Sequence, residues 1–230
     1  MGKSDALLRM EELRKQARRG MNMEAWGYAG ILILPVGLAL LICGSRKKEK
    51  ACQEMDELYR EVFVREPLEE NFEHTSFEPN AGFSEELVEG FQICSMGNEF
   101  DSEAYGKGDL QDVHMEMSDV KIVDYDRQAG KNTKIVFKGR IVVLQFPKKI
   151  APEMVSPQLH DLLDAIAARH QGADMKVMDQ KLVLAINDGE GTLFYRQKKK
   201  DMSLEAELAK VQADMDDIKA MITLIRATSV

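Results

Sequence analysis

Nineteen consecutive residues, Ala25 to Cys43 (AWGYAGILILPVGLALLIC), carry no charge, and Arg46-Lys47-Lys48 follow shortly after. At about 1.5 Å per helical residue such a stretch reaches roughly 28 Å, close to the roughly 30 Å hydrocarbon core of a bilayer. As a buried helix of a globular domain it would need apolar neighbours on every side. With 30% of the chain charged, the remaining sequence supplies them poorly. The stretch therefore predicts a transmembrane segment over 24–44, hence a cell-membrane protein that crosses once, with membrane lipid as a partner through residues 25–43 and their basic flanks.

Within the stretch, Pro35 and Gly37 either kink one helix or turn a re-entrant hairpin, whose arms, 25–34 and 36–43, are each too short to cross. The basic flanks are even: Arg14, Lys15, Arg18 and Arg19 precede it, and Arg46, Lys47, Lys48 and Lys50 follow. Even flanks leave orientation open under the positive-inside rule and suit a hairpin that enters and leaves one face. A single kinked span is expected, with Trp26 and Tyr28 at the outer interface. The apolar run starts late, exceeds a signal core in length and ends in Cys43-Gly44 without an Ala-x-Ala site, so it is expected to stay in the mature protein.

Residues 1–23 form a basic amphipathic segment. Ser4 to Arg19 reads as a helix capped by Ser4, with Leu7, Met10, Leu13 and Ala17 on one side, either lying along anionic headgroups or simply solvated. Gly2-Lys3-Ser4 lacks the upstream glycine and strand of a phosphate loop, and Ala6 breaks the myristoylation pattern.

The net charge of -8 is unevenly spread: residues 51–120 hold nineteen acids and three bases, residues 121–200 fifteen bases and nine acids. An acidic half argues against nucleic acid as a partner. The three cysteines, Cys43, Cys52 and Cys94, form no CxxC pair and offer no disulfide framework. Read as free thiols, they place the bulk of the chain in the cytoplasm.

Past the span, Met55, Leu58, Tyr59, Val62 and Phe63 recur at helical spacing, which predicts a juxtamembrane helix over 45–66 that starts near Ser45 and is ended by Pro67. An α+β domain is expected over 67–200. Residues 68–108, acidic and broken by Pro79 and five glycines, fit only short strands. Val120 to Tyr125 and Thr133 to Phe146 flank a polar turn at 127–132 and read as a hairpin, with Gly139 marking a bulge or a close backbone approach. Ser156 caps a helix to His170 with Leu159, Leu162, Leu163, Ile166 and Ala167 as its stripe, closed by Gly172. Met175 to Met178 and Lys181 to Ile186 form a second hairpin around Asp179-Gln180, followed by a short strand Leu193-Phe194-Tyr195 and a basic hinge Arg196 to Lys200. Antiparallel strands with segregated helices define the α+β class. Over 201–230, Leu204, Leu208, Val211, Met215, Ile218, Ile222 and Ile225 make a heptad seam. It predicts a C-terminal amphipathic helix that packs on another helix of the chain (45–64 first), self-associates or binds a protein partner through 204–225, or docks on its own sheet.

Three passages, Tyr105-Gly106-Lys107-Gly108-Asp109, Met117-Ser118-Asp119-Val120 and Val136-Phe137-Lys138-Gly139-Arg140, resemble the pattern of a bacterial membrane-associated family, domain of unknown function 3137. Ser156-Pro157, Lys181 to Ile186 and Leu193-Phe194 are similar to its later half, so the resemblance covers roughly 55–200. It implies a membrane-tethered cytoplasmic domain and brings no catalytic residue.

Catalytic, cofactor-binding and metal residues are all read as none. His114-Met115-Glu116 imitates the start of a zinc-deaminase signature, but no Pro-Cys-x-x-Cys follows. His160 and Asp164 stand one helical turn apart without a third ligand. The acids of 51–120 offer carboxylates for acid–base work, but their spacing selects no pair. The expected function is a membrane-tethered, non-catalytic module that binds protein or lipid. The alternative is a hydrolase or transferase that uses carboxylates of 51–120.

Overall fold

The computed structural model describes residues 3–29, 34–125, 133–151, 154–188 and 203–228. They divide into two compact units, one within Met1–Phe63 and Phe194–Leu208, the other within Val64–Leu193 and Ala209–Val230.

The first unit is built on two helices, α1 (Lys3–Ala29) and α2 (Leu34–Arg60). They run antiparallel. Arg9 Nη2 donates to Glu54 Oε1 at 2.6 Å, whereas further along α1 Glu24 accepts from Lys48 Nζ at 2.8 Å. Ala6, Met10, Leu13 and Ala17 of α1 and Ala51, Met55 and Tyr59 of α2 are buried, at the spacings of three and four that a two-helix seam requires. Near the uncharged end the backbones touch: a Cβ added to Gly20 would lie 2.8 Å from the Gly44 carbonyl oxygen, and one added to Gly44 would lie 2.7 Å from the Glu24 nitrogen.

This arrangement corrects the expected span over 24–44, because no helix among the described residues is long and apolar enough to cross a membrane. The uncharged stretch is divided: Ala25–Ala29 end α1, and Leu34–Cys43 begin α2. Pro35 supplies the physical reason. Inside one helix it would remove a hydrogen bond and clash with the preceding turn, but as the second residue of a new helix its missing N–H costs nothing. The apolar arm of α2 rises only ~15 Å. The helix expected from Ser45 is the continuation of α2, and Ser4 lies inside α1 rather than capping it. Residues 30–33, and the side chains of 27–41 including Tyr28, lie outside the described residues.

A π turn (Glu61–Arg65) spans the boundary between the units, and α3 (Glu66–Asn71) is the first helix of the second. Pro67 is in the first turn of α3 and starts a helix where a stop was expected. Then follow β1 (Glu73–Glu78), α4 (Glu85–Phe91), β2 (Glu99–Leu110), β3 (Val113–Tyr125), β4 (Thr133–Gln145), α5 (Pro157–Arg169), β5 (Ala173–Met178), β6 (Lys181–Asn187) and α6 (Leu204–Ala227). The strands form one sheet in the order β1-β2-β3-β4-β6-β5, antiparallel throughout, which bears out the α+β expectation for this part of the chain. Phe83, Val88 and Phe91 pack on one face against Val120, Ile122, Phe137, Ile141, Val143, Val183 and Ala185. The alternate residues Met115, Met117, Val142, Leu144, Leu182 and Leu184 are buried on the other face, as the period of two dictates. Leu68 of α3 reaches that face beside Gly106.

Both expected hairpins form, β3–β4 and β5–β6, with Asp179 at φ +54° in the second turn. Residues 126–132 of the first turn, the expected strand 193–195 and the hinge 196–200 lie outside the described residues. Two corrections concern residues 68–108. β2 is a long strand of twelve residues, whose irregularity is absorbed where its register with β3 shifts, between Glu103 and Gly106 around Ala104 (φ +56°). A helix, α4, forms where only strands were expected, its first turn capped by Ser84, whose hydroxyl accepts from the Leu87 N–H. Gly139 is a close approach rather than a bulge. A Cβ there would lie 1.9 Å from the Ile186 carbonyl oxygen, and the register shift of this pair lies instead at Ile122/Val123 of β3. Ser156 caps α5 as expected, accepting from the Leu159 N–H.

The heptad seam of α6 is covered within the single chain: Val211, Met215, Ile218, Ile222 and Ile225 are buried. From Ala209 onward the helix belongs to the second unit and is tied to it by Asp214 to the end of α5 and by Arg226 Nε to Asp112 in the β2–β3 turn at 2.6 Å.

Candidate functional site

A cluster of titratable groups in the second unit gathers where α5, β6 and α6 meet. α5 stops at Arg169, and His170, in extended conformation, turns its ring inward while its N–H caps the helix on the Ala167 carbonyl. β6 ends at Asn187. The next residue, Asp188, is held by its N–H on the Lys138 carbonyl. α6 contributes Lys210, Asp214 and Asp217, spaced four and three along one side. The His170 side chain is 2% exposed and bonds a carboxylate at each nitrogen, Nδ1 to Asp188 Oδ1 at 2.5 Å and Nε2 to Asp214 Oδ2 at 2.7 Å. Lys210 Nζ donates to Asp188 at 2.9 Å, Arg169 Nε to Asp214 at 2.9 Å, and Arg169 Nη2 to Asp217 at 2.6 Å.

Three cations face three carboxylates, so the cluster is closed in charge. Burial disfavours the charged imidazole, but the bonds from Asp188 and Asp214 outweigh it and hold the His170 pKa above its ordinary value. Burial likewise opposes the Asp188 carboxylate, and His170 with Lys210 outweighs it, lowering the Asp188 pKa. A doubly bonded imidazolium has no lone pair with which to act as a base. The arrangement is a clamp that fixes α6 to the sheet unit.

The residues singled out by sequence are scattered. His114 Nδ1 contacts Asp109 Oδ1 at 2.6 Å, and His74 contacts the other oxygen of the same carboxylate at 3.3 Å, on the exposed side of β1–β3. The His114 hydrogen bond is the main cause that lowers the Asp109 pKa. Glu116 accepts from the Tyr105 hydroxyl. The Tyr105 pKa is raised by burial first and by Glu116 second. His160 bonds the Ser156 carbonyl of its own helix at 3.2 Å, with no bond to Asp164 among the described contacts. Among the described residues, no three His, Cys, Asp or Glu side chains form a group able to hold a metal. Four carboxylates of 51–120 meet cations: Glu54 meets Arg9, Glu69 meets Arg65, Asp112 meets Arg226, and buried Asp119 meets buried Arg140 at 3.0 Å. Sequence reading missed the His170 clamp. The only signal for it was the four-and-three spacing of Lys210, Asp214 and Asp217, which does not distinguish His170 from His160.

In the first unit, the antiparallel pairing brings the two basic flanks to one level. From Arg14 to Glu24 on α1 and Gly44 to Lys50 on α2 there are eight bases and two acids, and one of those acids, Glu24, is paired with Lys48. Lys15, Arg19, Arg46, Lys47 and Lys50 are exposed. On the far side of this band come the uncharged arms, where Trp26 is 71% and Ile42 46% exposed. On the near side, Asp5, Glu11, Glu12, Glu54, Asp56 and Glu57 outnumber Lys3, Arg9 and Arg60.

Comparison of the chain with models of protein families, with curated proteins and with solved structures gives no match.

Proposed function

We propose that this protein is a non-catalytic interaction module that associates through the uncharged end of the α1–α2 hairpin. One observation carries the reading: Trp26 and Ile42, 71% and 46% exposed, lie at the uncharged end of the helix pair just beyond the basic band, whereas Leu8, the other widely exposed large apolar side chain of α1, stands among exposed Ser4, Asp5 and Glu12. Exposed apolar residues gathered at one end of an element, rimmed by charge, mark an interaction surface. Asp109, Glu116 and Asp119, carboxylates open to the enzymatic alternative, are engaged by histidine, tyrosine and arginine side chains, which supports association over chemistry.

The test is retention of the purified full chain on non-ionic micelles, or its self-association in sedimentation, compared with a Trp26→Asp/Ile42→Asp variant. The wild-type chain is expected to associate and the variant to lose that association with its melting temperature unchanged. A chain that stays monomeric and unretained contradicts the reading. So does turnover of chromogenic phosphate, ester or glycoside substrates that disappears on Glu116→Gln.

A further inference from the structure

We infer that the hairpin docks on an anionic phospholipid surface, its uncharged end entering one leaflet without crossing and its basic band resting at the phosphates. The inference rests on the association reading above and names its partner.

Three features of the unit support it. The first is length: Ala25–Ala29 of α1 and Leu34–Cys43 of α2 are uncharged, and the longer arm rises ~15 Å, half of a roughly 30 Å hydrocarbon core. That longer arm matches the depth of a single leaflet. The second is the order of charge along the hairpin. Uncharged residues are followed by the band of eight bases and two acids, and then by a predominantly acidic stretch. An acidic protein partner would select the bases but would have no use for an uncharged end of this length beyond them. A lipid surface presents hydrocarbon and then phosphate in the same order. The third is antiparallel pairing itself, which places Arg18 and Arg19 near Arg46, Lys47 and Lys48, as the contact of Gly20 with Gly44 and Lys48 fixes. Both flanks are basic because both meet the same face of the bilayer. Trp26, at the boundary between the band and the uncharged arm, is the type of side chain that settles at the headgroup level.

Trp26 is the only tryptophan in the chain, so its emission reports this contact in the full-length protein. With vesicles of equal parts phosphatidylglycerol and phosphatidylcholine, the chain is expected to float with the vesicles and Trp26 emission to shift to the blue. The triple reversal Arg19→Glu/Arg46→Glu/Lys47→Glu, on exposed positions that spare the seam, should bind more than about 100-fold more weakly. Lys15→Cys and Lys50→Cys, placed singly in a chain whose native cysteines are serine, should both react with an impermeant maleimide added outside. Absence of flotation overturns the proposal, as does equal binding to neutral vesicles that ignores the triple reversal, or protection of one of the two cysteines. Should the chain bypass both vesicles yet still self-associate through Trp26 and Ile42, lipid is excluded while the association reading stands, and a second copy of the chain takes its place as partner.

Discussion

Gly139 sets the spacing of β4 and β6. The Ile186 carbonyl oxygen occupies the position a side chain would take, 1.9 Å from an ideal Cβ, so any other residue there forces two central strands apart. Gly139→Val should destabilise the protein by about 3 kcal/mol, in the range of overpacking in a tight core. A thermal melt of the variant coincident with wild type would contradict the close approach. His170 makes a prediction about pH. Its folded pKa is raised, so its contribution is fully present below the unfolded value of about 6.5 and is lost as pH rises through the higher folded one. Asp188, with a lowered folded pKa, contributes above about 3.9 and loses that contribution as pH falls through the folded value. Removing the shared cation with His170→Ala leaves two carboxylates facing each other and should cost about 3–5 kcal/mol near neutral pH. It should also flatten the alkaline side of the stability profile, read by urea unfolding across pH. A variant that keeps the wild-type alkaline slope would assign that slope to other groups.

At the scale of elements, how legible each one was followed the range of the interactions that make it. The two sheet hairpins and α5 rest on local chemistry, alternation with period two and a Ser156-Pro157 start, and were read from sequence. α4 was hidden because Ser84 begins it amid glycines and acids whose composition reads as loop. The α1–α2 pairing was out of reach because it joins Arg9 to Glu54 and Gly20 to Gly44, far apart in the chain, while the nineteen uncharged residues read as one element. The clamp was hidden for the same reason, joining His170 to Asp188 and to Asp214, eighteen and forty-four residues away. Two substitutions test these elements. Ile218, 2% exposed in the middle of the α6 seam, should not tolerate a charge: Ile218→Asp should cost about 3 kcal/mol or more in the full chain. A melting temperature that ignores the aspartate would show the seam to be open. Gly44→Val, where an added Cβ already lies 2.7 Å from a backbone nitrogen, should part α1 from α2 near the basic band and speed amide exchange in both helices there. Unchanged protection would contradict backbone contact.

For the whole molecule, the apolar stretch was a sound guide to what is unusual in this chain and a poor guide to its topology. Length and hydropathy are the same for one span and for two short arms; what separates them is the position of Pro35, inside a helix or at the start of one, and the even basic flanks. The central claim is that these arms belong to an antiparallel hairpin, and a distance measures it most directly. Spin labels at exposed positions 15 and 50, in a full chain whose native cysteines are serine, should by pulsed electron paramagnetic resonance lie within about 25 Å of each other, since paired helices stand about 8–10 Å apart and the labels add their own length. One continuous helix would hold those positions about 52 Å apart, and a distance distribution centred there would contradict the hairpin and all that is built on it.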